Sequence, residues 1–432
     1  MNKDYCFGWQ EKSSALIGIG HQKAFAGNQN EIFAPKFEDY FVFWKAGQSH
    51  GYFSEETIEI WKRESRKFGE KEYLKKFLAE SAKIRNEFKE IIKKIEEKDM
   101  KKCTNAELLE DFNEYYKKLQ RIQAIYLASQ PEGVDFVNTK LNQRLKKERN
   151  KEEIEEDHKI LTSSPKMDLT QQERVDFSAL YQSNQSDERE KELIEHAKKY
   201  PCFFFNTYSW KSILFYLEER KRKSSKEELR EEIEKALEQK RKTEKKKKEL
   251  FVLLSEEVKE YASILMELGH DRLQLKNCWS GAELLALPLF TEIAERINVP
   301  VEDFFAAYTE EDIEAGLLYG TKLDEEEMRK RKQAMLYHVD NGIVTFKTGE
   351  EAEKEINNLL GAQNFSEQKE VKGMVANSGS ISGRVRIVLI EDIEGFQKAL
   401  NEFEEGEILV TTMTSPNMVP LIEKAAGIIT NE

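Results

Sequence analysis

Gly406-Glu-Ile-Leu-Val-Thr-Thr-Met-Thr-Ser-Pro-Asn-Met-Val-Pro420 decides the fold of the C-terminal end. Ile408 to Thr412 is a run of aliphatic and β-branched residues, the composition of a strand. Ser415 is a good N-cap, and Pro416 suits the first helical position, where a missing N–H costs nothing. The stretch predicts a strand followed by a helix. Working outward, Gly427-Ile-Ile-Thr430 reads as a strand and Ile393 to Leu400 as a short helix. Arg384-Val-Arg-Ile-Val-Leu-Ile390 and Glu370 to Ala376 are two more strand candidates. Asn377-Ser-Gly-Ser-Ile-Ser-Gly383 joins them as a loop with two glycines. Strands alternating with short helices argue for a compact α/β module.

Before this module the periodicity is helical. Leu74, Phe77, Ile84, Phe88, Ile91 and Ile95 recur at helical spacing, and so do Leu108, Phe112, Tyr115, Leu119, Ile122 and Tyr126. Such stripes bury one face against partner helices. Thr104 with Glu107 forms a capping-box signature, repeated by Ser225/Glu228, Ser280/Glu283 and Thr348/Glu351. Met100 to Cys103 then joins two antiparallel helices. Glu218 to Leu268 reads as one long helix or a helical hairpin. Its basic runs, Arg220-Lys-Arg-Lys223 and Lys245 to Lys248, are interleaved with glutamates and read as solvated helix faces. The first sixty residues are rich in aromatics, with Asp39-Tyr-Phe-Val-Phe-Trp44 readable as a buried strand or a short helix.

Bulk properties narrow the function classes. The 432 residues fit two to four domains. Net charge is −13, from 68 basic and 81 acidic residues, which argues against a nucleic-acid binder. No run reaches the ~18 apolar residues that span a bilayer, and the N-terminus lacks the basic and apolar regions of a signal peptide. Four scattered cysteines form no CxxC pair, so neither a zinc site nor a disulfide framework is expected. A cytoplasmic protein without membrane or nucleic-acid partners is the expectation.

Three C-terminal segments carry a family likeness. Lys372-Gly-Met-Val-Ala-Asn-Ser-Gly379 with Gly383-Arg-Val-Arg-Ile387, then the 406–420 stretch, then Ala425-Ala-Gly-Ile-Ile-Thr430, follow one another in the order of a known domain. They resemble the opening of the mobile, swivelling phosphohistidine domain of the phosphoenolpyruvate-utilising enzymes, the family of phosphoenolpyruvate synthase and pyruvate phosphate dikinase. Leu289 to Phe305 and Tyr308-Thr-Glu-Glu-Asp-Ile313 resemble the segment that precedes this domain in phosphoenolpyruvate synthase-like proteins and rifampin phosphotransferase. Met328-Arg-Lys-Arg-Lys-Gln333 is similar to the helix that follows it. The likeness covers roughly residues 270–432.

The resemblance implies a fold and an activity. The fold is a mainly α-helical region followed by a partial α/β swivelling domain. Four segments are expected: an irregular aromatic-rich 1–60, a helical linker or acceptor-binding region 61–360, a linker 361–370, and an incomplete phosphohistidine domain 371–432. The implied activity is an ATP- or phosphoenolpyruvate-dependent phosphotransferase, with Mg²⁺ needed by the complete enzyme. The phosphoryl-carrying histidine is expected in a Ser/Cys-His motif past Glu432, so this chain is expected to be inactive alone. The six histidines present, His21, His50, His158, His196, His270 and His338, lie outside that motif. No glycine-rich phosphate loop occurs in the sequence. The implied partners are therefore an ATP-grasp nucleotide-binding domain or chain and a small-molecule phosphoryl acceptor.

Histidine suits such a relay because its pKa near 6.5 leaves a neutral nucleophile at physiological pH. The protein's share is positioning and charge neutralisation. Thr412, Thr414 and Ser415 are phosphate-proximal candidates, since a helix opening at Ser415 presents free N–H groups. Their other reading is a plain helix cap after a strand. Gly379 and Gly383 are candidates for a tight loop near the phosphate, or simply for the turn itself. The Tyr200 to Trp210 aromatic cluster reads as core or as pocket lining. A function of a different class also fits: a non-catalytic helical interaction or regulatory protein with a degenerate mobile domain.

Overall fold

The computed structural model describes residues 5–27, 36–45, 47–180, 186–205, 207–223, 225–360, 379–388, 398–400, 402–411, 414 and 418–430. The elements run β1 (Tyr5–Lys12), α1 (Ala15–Ala26), β2 (Tyr40–Lys45), β3 (Gln48–Ser54), α2 (Glu55–Glu64), α3 (Lys71–Glu97), α4 (Asn105–Ala128), α5 (Asp135–Glu148) and α6 (Ile154–Thr162). Next come α7 (Leu169–Ala179), α8 (Ser186–Lys199), α9 (Trp210–Lys223), α10 (Lys226–Leu253), α11 (Glu256–Trp279), α12 (Ala282–Leu285), α13 (Leu287–Arg296), α14 (Val301–Ala307) and α15 (Glu310–Tyr319). The last are α16 (Glu325–Gln333), β4 (Met335–Asp340), β5 (Ile343–Thr348), α17 (Gly349–Leu360), β6 (Val385–Ile387), β7 (Ile408–Val410), α18 (Val419–Ile422) and β8 (Gly427–Ile429). A helical body followed by a small α/β module is therefore the architecture. The expected linker 361–370 and strand Glu370 to Ala376 lie outside the described residues.

Two compact units form, one of 1–18, 38–55 and 323–432 and the other of 19–37 and 56–322. In the first, an antiparallel sheet has the order β1-β3-β2-β4-β5. This corrects the expectation of an irregular first sixty residues and adds two strands, β4 and β5, to the mainly helical stretch 61–360. β2 is the central strand, and its residues Tyr40 to Trp44 are all buried, which is why Asp39 to Trp44 shows no alternation in sequence. Phe41 stacks on Tyr52 with centroids 4.9 Å apart. Phe41, Phe43 and Leu336 pack with Ala352 and Ile356 of α17. Between β4 and β5, Asn341 and Gly342 both take positive φ (50° and 76°). That pair of conformations is what a tight two-residue hairpin of this twist requires.

The second unit is helical. The stripes on α3 and α4 are buried as their spacing predicts, except for half-buried Tyr126, with Phe77, Phe112 and Tyr115 fully inaccessible, and α3 packs on α4. Thr104 closes the capping box: its Oγ1 accepts from the Glu107 N–H (3.2 Å), and the Glu107 carboxylate accepts from the Thr104 N–H (2.7 Å). Ser225 and Glu228 do the same at α10. Ser280 instead ends α11, and Gly281 takes the N-cap of α12. Thr348 ends β5 and donates to Glu327 (3.3 Å).

The stretch Glu218 to Leu268 is divided among three helices, because Ser225 and Ser255 each cap a new one. Arg222 pairs with Glu219 (2.8 Å) and Lys246 with Glu156 (2.7 Å), as expected of solvated faces. Lys247 departs from that: it is buried and donates to the Ser163 carbonyl at the end of α6. Arg220 departs too, reaching inward to buried Glu173 with contacts of 2.5 and 3.0 Å. Of the aromatic cluster, Tyr200 and Phe204 are buried, and Tyr208 stacks on Phe305 at 4.0 Å. No helix among the described residues is long and apolar enough to cross a membrane.

Candidate functional site

The C-terminal module is built on three parallel strands in the order β6-β7-β8. Val385, Ile408 and Gly427 form one row across the sheet, and Ile387, Val410 and Ile429 form another. Side chains alternate faces along a strand. Leu409, fully buried on one face, packs with Val388, Ala399, Phe403, Met418 and Leu421. Burying a side chain of this size contributes about 1.5–3 kcal/mol. On the opposite face Val385, Ile387 and Ile429 are 55%, 68% and 55% exposed. Parallel sheets usually have both faces covered; among the described residues these three side chains are exposed.

The two ends of the sheet differ in chemistry. At the amino end, Arg386 donates through Nε and Nη2 to the two carboxylate oxygens of Glu407 (2.8 and 3.0 Å). That hydrogen-bonded guanidinium holds the Glu407 carboxyl below the usual carboxylate range. The Glu404 N–H also donates to Glu407 (3.1 Å). Gly383 sits at the same end. A Cβ there would lie 2.7 Å from the Gly406 carbonyl oxygen, so any other residue would force the chain segments before β6 and β7 apart. At the carboxyl end, Thr411 follows β7 and Thr430 follows β8. The Thr411 N–H donates to the Ile429 carbonyl (3.0 Å), which brings the two strand ends side by side. Ligands of open α/β sheets bind outside this end of the strands.

The sequence candidates therefore separate. Thr414 follows β7 in the chain and is exposed. Gly383 lies at the amino end, where close packing accounts for the residue. Gly379 is exposed, with open space where a Cβ would stand. Thr412 and Ser415 lie outside the described residues. Sequence reading passed over the Arg386–Glu407 pair and Thr411, which is buried with Oγ1 3.9 Å from the Met418 sulfur. The charges interrupting Arg384-Val-Arg-Ile387 were the available signal for the pair.

None of the six histidines lies in this module. His196 bonds Glu173 (2.8 Å), His158 bonds Asn138 (2.8 Å) and His338 bonds Tyr5 (3.3 Å). Among the described residues no three His, Cys, Asp or Glu side chains converge as a metal site would need.

The family model of the PEP-utilising enzyme mobile domain matches residues 403–432, the span from Phe403 through β7, α18 and β8. Over 62 residues, 14% of this chain, it is 45% identical to a probable phosphoenolpyruvate synthase of Archaeoglobus fulgidus, covering 7% of that protein. It is 48% identical over 62 residues to a probable phosphoenolpyruvate synthase of Methanothermobacter thermautotrophicus, covering 8% of it. A longer match, 120 residues at 38% identity, joins 26% of this chain to 13% of the phosphoenolpyruvate synthase of Pyrococcus furiosus. The chain thus spans a small fraction of the length of these relatives. By these matches the C-terminal module is related to the PEP-utilising enzymes, and the related part is their mobile domain.

Proposed function

We propose that this chain contributes the mobile carrier module, and the helical region that precedes it, to an ATP- or phosphoenolpyruvate-dependent phosphotransferase. The observation that carries the reading is the pairing of two strand ends, Thr411 beside Ile429–Thr430, inside the segment that matches the mobile domain. Hydroxyl donors at the carboxyl edge of a parallel sheet suit a doubly charged phosphoryl group. Thr412, Thr414 and Ser415 are proposed as donors near that group. The phosphoryl-accepting histidine is proposed to follow β8, past Glu432. An ATP-grasp domain or partner chain would supply the nucleotide site, and the helical unit would receive the small-molecule acceptor.

The test is a labelling experiment with ³²P-phosphoenolpyruvate and with ATP labelled at the β and γ positions, with Mg²⁺ and the ATP-grasp partner present. A version extended through the histidine should take up acid-labile, base-stable label, and residues 1–432 alone should not. Acid-labile label on residues 1–432 would move the carrier to a histidine within this chain. An extended version unlabelled by either donor would leave the non-catalytic interaction protein as the standing account.

A further inference from the structure

The five-stranded sheet ends on two outer strands, β1 and β5, and the two differ. The pairing of β1 shifts register between Phe7 and Trp9, an irregularity that turns an edge away from foreign strands. β5 keeps an unbroken register with β4 from Ile343 to Thr348 and contains no proline. Ile343, Val344 and Phe346 are 67%, 46% and 37% exposed. The one charge on the strand, Lys347, turns back to Glu351 (3.8 Å) and Glu355 (3.3 Å) of α17. Among the described residues no strand lies on the outer side of β5.

The hairpin decides which backbone groups of β5 face outward. Asn341 and Gly342 form its two-residue turn, so Asp340 and Ile343 close it as a hydrogen-bonded pair. Bonded pairs then alternate along the ladder, His338 with Thr345 and Leu336 with Lys347. The N–H and C=O groups of Val344 and Phe346 therefore point away from β4. Their side chains lie on one face, and those of Ile343, Thr345 and Lys347 on the other. Arg331 sits over the Phe346 ring, 5.6 Å from its centroid, and leaves the ring part exposed.

We propose that β5 is a self-association edge, pairing antiparallel with β5 of a second copy of this chain about a two-fold axis at Thr345. Only that axis sets the two exposed, outward-bonding residues against each other, Val344 opposite Phe346 of the partner subunit. Each such pair exchanges two main-chain hydrogen bonds, and an aliphatic residue against an aromatic one is a favourable cross-strand pair. Thr345 meets its own copy across the axis, where threonine hydroxyls can bond. Lys347 falls opposite Ile343 of the partner subunit, so no like charges are opposed. A two-fold contact closes on itself and gives dimers, not fibres. One strand edge covers less than the ~800 Å² per partner of a standard interface, so the dimer is a weak one that forms at high protein concentration. This association stands apart from the phosphoryl-relay reading of the C-terminal module.

Sedimentation of the full chain over a rising concentration series tests it, and the wild type should pass from monomer to dimer. Val344→Lys and Val344→Pro should each weaken self-association at least about tenfold; the first sets a charge against an aromatic ring, and the second removes an outward N–H without touching the β4 ladder. Thr345→Cys keeps the test decisive if either variant fails to fold. On the axis the two Cα atoms would lie ~4.5 Å apart, within disulfide range, so glutathione disulfide should link the copies through residue 345. Ile343→Cys, placed off the axis, should not link. A wild type that stays monomeric at every concentration would leave the edge to a strand of some other protein and overturn the proposal. So would a dimer undiminished in both Val344 variants, or cross-linking no greater for Thr345→Cys than for Ile343→Cys.

Discussion

Arg386 grips both oxygens of Glu407, so a residue on β6 is tied to the residue that leads into β7. Only a planar fork makes two parallel bonds of this kind, and lysine is not equivalent here. Arg386→Lys and Arg386→Leu should both loosen the amino end of the sheet. The readout is hydrogen exchange at the Ile408 amide, which donates to the Arg384 carbonyl (2.8 Å). Exchange should accelerate in both variants and more in the leucine one. Equal protection in wild type and variants would assign the pair no structural role.

Glu173 is a buried carboxylate with two hydrogen-bonding neighbours, Arg220 and His196. Burial pushes its pKa up, but hydrogen bonds from His196 and Arg220 outweigh this and hold the group below the usual range. Arg220 also lies 4.0 Å from the centroid of the Phe177 ring. Removing one partner from a buried pair leaves a charge uncompensated, at a cost of about 3–5 kcal/mol. Arg220→Ala should lower stability in urea by that order. A double variant, Glu173→Leu with Arg220→Leu, should recover much of it. A loss under about 1 kcal/mol in the single variant would show that water reaches the carboxylate.

One buried histidine, His21, and one half-buried, His50, predict acid lability. Burial lowers the pKa of His21 to about 3 and that of His50 to about 4, from an ordinary 6.5. The unfolded chain therefore takes up these protons first as pH falls. Each group favours the folded state fully above pH 6.5, and the advantage is lost as pH drops toward the lowered value. The slope approaches about 1.4 kcal/mol per pH unit for each group. His21→Leu should flatten the dependence of unfolding free energy on pH between about pH 6 and pH 4. An unchanged slope would remove His21 from the account.

The turn Asn341-Gly342 offers a sharper backbone test. Gly342→Val forces a β-branched residue to φ 76°, which costs about 1–2 kcal/mol. Thermal unfolding should show a drop of that size. A variant as stable as wild type would mean that the hairpin relaxes to another turn.

How much of this was legible in the sequence depends on range. The α3 and α4 stripes and the Thr104 and Ser225 caps were readable because their partners lie within four residues or on the next helix. β7 and β8 were readable from short aliphatic runs bounded by Gly406 and Gly427. The five-stranded sheet was not: β2 is buried on both sides and shows no alternation, and its neighbour β4 lies nearly three hundred residues away. Asn341-Gly342 between Val339 and Ile343 was a usable hairpin signal, hidden inside a region that otherwise reads as helix. In the candidate site, Thr414 was legible only as an exposed residue that follows β7 in the chain. The amino-end position of Gly383 depends on strand direction, which no local pattern reveals.

The pairing of β2 with β4 also sets an order of events during synthesis. Strands β1 to β3 leave the ribosome early, yet the edge of β2 stays unpaired until Met335 to Asp340 have been made. At ordinary elongation rates of ~5–20 residues per second, that gap lasts on the order of 15–60 s. Throughout it an aromatic strand presents bare amide and carbonyl groups. The helical unit encoded in between can complete itself in that interval, so the nascent chain has reason to recruit a chaperone at its first fifty residues before its middle.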